Sequence, residues 1–163
     1  MTDSTAIFYG LMGAGSSLIF SCAGAAFGTA KSQQQCKIES KSLNGFTESN
    51  SPPPTITGKT LIPVIIAGVL AIYGLIYSII VLGSVSDPNY SVSQGYAQFV
   101  GGLVVGLCCL GSGIAVGIVG KIGIRGMKEN TSSFTMMVLN LIYCEALGLY
   151  GLIFALIAAS TFQ

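Results

Sequence analysis

Residues 134–160 form one apolar run whose only charged residue, Glu145, sits close to its middle. Roughly 20 apolar residues, rising about 1.5 Å each, cross the hydrocarbon core of a bilayer, so the run reads as a membrane-spanning helix. A carboxylate at the bilayer centre costs about 2.5–3.5 kcal/mol on insertion scales. The group escapes that cost by holding a proton, because loss of water disfavours the charged form. Glu145 is therefore either a structural residue satisfied by a neighbouring helix or a carrier that takes up and releases a proton at mid-membrane depth. Intramembrane acids are rare and mostly functional, which favours the carrier.

The rest of the chain belongs in the same solvent. Apolar residues make up 52% of it and charged residues only 8%, with 22 glycines and no His or Trp. That is the composition of an integral membrane protein. A net charge of +1 offers nothing to nucleic acid. The five cysteines (Cys22, Cys36, Cys108, Cys109 and Cys144) give no even disulfide framework. With no His, and no second acid inside the apolar runs, hydrolytic and metal chemistry are not expected, and neither is a cofactor.

Three more spans precede the Glu145 helix: residues 6–30, 61–83 and about 96–124. The first lacks the basic leader of a signal peptide and is too long for its apolar region, so it reads as a retained span. Residues 31–60 are polar, rich in Ser and Gln, and end in a triple proline, the composition of a loop. Asn89 opens a glycosylation sequon in the short second loop, close to both flanking spans. The odd spans carry small residues at three- and four-residue spacings, among them Gly24 and Gly28 in the first and Gly106, Gly113 and Gly117 in the third. Such faces let helix backbones approach closely in lipid, within one molecule or between neighbours in a ring.

All seven Lys and Arg residues fall in or beside the first and third loops. The positive-inside rule then puts loops 31–60 and 121–133 in the cytosol and both termini on the lumenal side. The two halves also repeat each other. Tyr73-Gly-Leu-Ile in the second span matches Tyr150-Gly-Leu-Ile in the fourth, and Gly24-Ala-Ala-Phe-Gly28 matches Gly113-Ile-Ala-Val-Gly117. The expected fold is an all-α membrane protein of four transmembrane helices, arranged as two tandem helical hairpins, 6–83 and 94–161. On the alignment of the even spans, Gly68 stands where the second hairpin has Glu145.

A glycine-rich odd span, a mid-membrane Glu in the last span, and the run Glu145-Ala-Leu-Gly-Leu-Tyr-Gly-Leu-Ile together resemble the c-type proteolipids of vacuolar-type proton-transporting ATPases. The resemblance covers all four spans and is most specific over residues 144–157, 69–76 and 113–126. It implies a rotor ring of like or mixed proteolipids in a vacuolar or other endomembrane, with H⁺ as the transported ion. It further implies a stator subunit with half-channels and an arginine, and central-stalk subunits on the cytosolic loops. Glu145 matches the proton carrier, and Tyr150, Cys144 and Leu149 are supporting positions beside it. Such a chain hydrolyses no ATP itself, and it carries no phosphate-binding loop. Two departures stand out: the first loop is longer and more polar than the family pattern, and Lys121 stands where an acid is expected. The alternative is a structural or channel-forming tetraspan protein, which requires polar residues along a span, and the sequence has few.

Overall fold

The computed structural model describes residues 2–44, 58–87, 90–126 and 133–161, with side chains over 4–38 of the first segment. Four helices make up the fold: α1 (Thr2–Asn44), α2 (Gly58–Val85), α3 (Val92–Gly126) and α4 (Ser133–Thr161). Each contains a stretch long and apolar enough to cross a membrane. The triple proline, residues 127–132 and Asn89 of the sequon lie outside the described residues.

The first hairpin departs from expectation at one place. The polar loop is expected to begin at residue 31, yet α1 continues as helix to Asn44. Between Lys31 and Asn44 the chain has no Gly or Pro and is rich in Lys, Gln and Ser. Lys, Gln and Glu extend a helix readily. Polarity there marks where the chain leaves the apolar layer, not where the helix stops.

The four helices do not form a symmetric bundle. The helix α1 lies along α3 and α2, α4 lies along α3 and touches α2, and α1 and α4 do not meet among the described residues. The central pair is α1 with α3, and glycine is the reason they can be so close. A Cβ on Gly24 would sit 2.6 Å from the Cys109 carbonyl oxygen and 2.7 Å from Leu110 Cα. Gly113 meets the Gly24 backbone in turn, and Gly102 meets that of Gly13. Gly24 and Gly113, and Gly13 and Gly102, therefore approach backbone to backbone.

The two hairpins are locked in the same way. In the first, Gly74 of α2 sits over Ser17 and Ser21 of α1. Ser17 and Ser78 hydroxyls lie 3.0 Å apart there, and Ser78 donates to the Ala14 carbonyl at 2.8 Å. In the second, Gly151 of α4 sits over Val104 and Cys108 of α3, which take the places of Ser17 and Ser21. Where α2 turns back into α3, Tyr90 donates to Gln98 Oε1 at 2.6 Å and Tyr77 donates to the Gln98 carbonyl at 2.8 Å. Burial pushes the Tyr90 phenol pKa up, which keeps it a donor. This clamp holds the short turn against the helix ends.

Candidate functional site at Glu145

Three helices position Glu145. It lies near the midpoint of α4 and is half-buried, on the flank of the helix between its packed and open faces. Gly148, three residues on, has Leu70, Cys109 and Ser112 where a side chain would go. That absence of a side chain seats α4 on α3. Ser112 of α3 donates a short hydrogen bond to the carbonyl of Cys144, immediately before the acid. A hydroxyl given to a main-chain carbonyl inside an apolar layer fixes the height and rotation of α4 at this point.

With its backbone held, the Glu145 side chain turns toward α2, where the Tyr73 hydroxyl donates to Oε1 at 3.0 Å. The Tyr73 ring packs against the buried cluster formed by Tyr77, Val81, Val105, Cys109, Leu152 and Ala155. Packing limits the ring's rotamers, so the hydroxyl is held in place for the carboxyl. One carboxyl oxygen thus accepts from a neutral donor. Among the described residues no group of His, Cys, Asp or Glu is placed to hold a metal ion.

The sequence singles out Tyr150 as the tyrosine beside the acid, but the hydroxyl that bonds Glu145 is Tyr73's. Tyr150 lies on the open face of α4 with its side chain 63% exposed. Leu149 is on the same open side, and Cys144 takes part through its main-chain carbonyl. Gly68 stands on α2 with nothing within 4 Å of where a Cβ would be, and takes no part in the pair. The sequence signal for Tyr73 is the repeat itself. The motif Tyr-Gly-Leu-Ile occurs in both even spans, and the copy on α2 carries the tyrosine that the adjoining α4 acid meets. Of the small residues, Gly24, Gly28, Gly113 and Gly117 lie between α1 and α3, and Gly106 meets Phe20 and Ser16.

Comparison with known proteins bears on what such an arrangement belongs to. The family model for the C-subunit of ATP synthase matches twice, over residues 12–81 and 99–158. These two matches are the two hairpins. The V-type proton ATPase 16 kDa proteolipid (c-subunit) of Ascaris suum is 42% identical over 156 residues, covering 94% of this chain and 91% of the relative. The protein of the same name from Rattus norvegicus is 41% identical over 153 residues, covering 94% and 92%. That from Nephrops norvegicus is 41% identical over 150 residues, covering 91% and 88%. With both hairpins matched and nearly the whole length shared, the chain belongs to the ATP synthase C-subunit family, among relatives of the V-type proteolipids.

Proposed function

We propose that this chain is a proton-carrying rotor subunit of the membrane sector of a V-type ATPase, with Glu145 as the carrier. The observation that carries the reading is a single carboxyl at the midpoint of a membrane-spanning helix, bonded by a neutral hydroxyl from the adjoining helix. Protonated, Glu145 is uncharged and its helix face passes lipid without the ionic penalty. Beside a fixed cation on a stator subunit the carboxylate becomes the favoured form and the proton leaves. The Tyr73 hydroxyl donates in both states, and its bond is the stronger one when the acceptor is charged. It therefore lowers the cost of the carboxylate at the moment of exchange.

Rotation past the stator alternates the two environments, so each chain moves one proton per turn. Driving a charge against the field requires about 2.3 kcal/mol per 100 mV. ATP hydrolysis in other subunits supplies it, and central-stalk subunits transmit it through the cytosolic loops. The charge distribution supports cytosolic placement of 31–60 and 121–133 and lumenal termini, in a vacuolar or other endomembrane.

Glu145→Gln tests the reading. It keeps size and polarity but has no proton to release, so the complex assembles and ATP-driven acidification of vesicles stops. A hydrophobic carbodiimide blocks the parent and leaves the Gln variant unlabelled. A Gln variant that assembles and acidifies at the parent rate returns Glu145 to a structural role.

A further inference from the structure

Glycine lets α4 lie close to its neighbours, but close approach does not fix how α4 is turned. Gly148 rests on Leu70, Cys109 and Ser112, and Gly151 rests on Val104 and Cys108. A glycine contact of this kind sets a separation and offers no side chain to resist sliding or rotation. A hydrogen bond is directional and does resist them. Among the described residues, the only hydrogen bond from α3 to α4 is the one Ser112 donates to the Cys144 carbonyl. Ser112 is buried, so its hydroxyl gains nothing by turning away.

The chain carries its own control, because the first hairpin is the same build without the acid. The glycine seat is shared: Gly74 rests on Ser17 and Ser21 as Gly151 rests on Val104 and Cys108. The hydrogen bonds are not shared. In the first hairpin they lie toward the α2–α3 turn, where the Ser78 hydroxyl meets that of Ser17 and donates to the Ala14 carbonyl. The second hairpin has Ala155 and Val104 at those places.

At the level of the carboxyl the difference is reversed. Gly68 stands in the place of Glu145, and Ala67 in that of Cys144. The counterpart of Ser112 is Ala25 in the packing register and Ala23 in the register of the matched glycines, and neither has a hydroxyl. The hairpin that carries the acid therefore places its directional bond at the acid's own height. The hairpin without the acid has alanine there.

What such a bond holds is the aim of Glu145. The acid follows Cys144 directly and sits half-buried on the flank of α4, so a turn of the helix swings the carboxyl toward α2 or away from it. The Tyr73 ring packs against the buried cluster and does not follow. We propose that Ser112 is a positioning residue for proton exchange. It holds α4 at the rotation in which Glu145 Oε1 accepts from Tyr73, and it acts on the carboxyl through that bond alone. This rests on the carrier reading above and adds to it the group that aims the carrier.

Ser112→Ala tests it. The variant removes a hydroxyl and leaves no orphaned carbonyl, because Cys144 keeps the Gly148 amide as its helical donor, so the complex assembles. Per assembled complex, ATP-driven acidification falls by up to about fivefold, the ceiling set by losing the Tyr73 bond altogether. The double variant with Tyr73→Phe is no slower than Tyr73→Phe alone, because both substitutions remove the same bond. A second readout is the infrared carboxyl stretch of protonated Glu145 in the purified complex, identified by its loss in Glu145→Gln. Losing a hydrogen-bond donor moves that band to higher frequency, in Ser112→Ala and in Tyr73→Phe alike. A band that does not move in Ser112→Ala overturns the proposal, whatever the rate. So does a double variant slower than Tyr73→Phe by the full factor of Ser112→Ala, which is the result for a residue that only stabilises the helix pair. The band reads geometry and not transport. A Glu145→Gln variant that still pumps removes the carrier, while a band that moves in Ser112→Ala upholds the link from Ser112 to the carboxyl.

Discussion

Tyr73→Phe isolates one hydrogen bond and little else. The ring keeps its shape and its packing against the buried cluster around Tyr77 and Val105, so folding is preserved. What is lost is the hydroxyl that donates to Glu145 Oε1 at 3.0 Å. A hydrogen bond to a neutral acceptor contributes about 0.5–1.5 kcal/mol and one to a charged acceptor about 1.5–3 kcal/mol. The variant therefore penalises the carboxylate over the carboxylic acid by about 1 kcal/mol. With tenfold per 1.4 kcal/mol, that is roughly a fivefold loss in the fraction ready to release its proton. Half-burial of the pair makes this an upper figure, because on the proposed mechanism water in a stator half-channel compensates for the lost donor at the moment of exchange. The assay is ATP-driven acidification by reconstituted complexes, alongside the rate of carbodiimide labelling, which reads the protonated form. Acidification falls by up to about fivefold while labelling is undiminished or faster. Acidification at the parent rate would refute the argument that the tyrosine assists proton exchange, and slower labelling would reverse its sign.

Other outcomes follow from the same geometry. Gly113→Leu forces a branched side chain onto the Gly24 backbone; overpacking of this kind costs about 1–3 kcal/mol or more. Assembled complex in detergent extracts falls sharply, and recovery of parent amounts would show the α1–α3 contact to be slack. Gly45→Cys reacts with an impermeant thiol reagent from the cytosolic face of sealed vesicles and Asp3→Cys only from the opposite face. Labelling of both from one side contradicts the topology. Transport is expected to be of H⁺ and not Na⁺: sodium requires several oxygen ligands, whereas among the described residues Glu145 has the Tyr73 hydroxyl, and the Ser112 hydroxyl is committed to Cys144. ATP-dependent uptake of radioactive sodium that survives a protonophore overturns this.

The spans and the carboxyl were legible in the sequence because both follow from the solvent. Lipid dictates an apolar run of fixed length, and it makes an isolated acid such as Glu145 conspicuous. The repeat was legible from Tyr-Gly-Leu-Ile and from the paired glycines. Less accessible was anything depending on how helices lie beside one another. Polarity over 31–44 says where water begins, and says nothing about whether the helix ends there. Tyr150 is the nearer tyrosine in sequence, but Tyr73 is the one whose helix adjoins the acid.

Gly68 occupies the place of Glu145 in the first hairpin, with open space before it. On the proposed mechanism the ring is therefore a gear with a tooth removed from every second position. For a fixed energy delivered per revolution, a rotor with half as many carriers spends twice as much on each ion. At about 2.3 kcal/mol per 100 mV, an energy that would lift each ion of a fully toothed ring through 100 mV lifts each ion of this one through about 200 mV. Such a rotor trades flow for pressure: fewer protons per turn, driven against a steeper gradient. Restoring the tooth with Gly68→Glu would shift the balance back, toward a faster pump that stalls earlier.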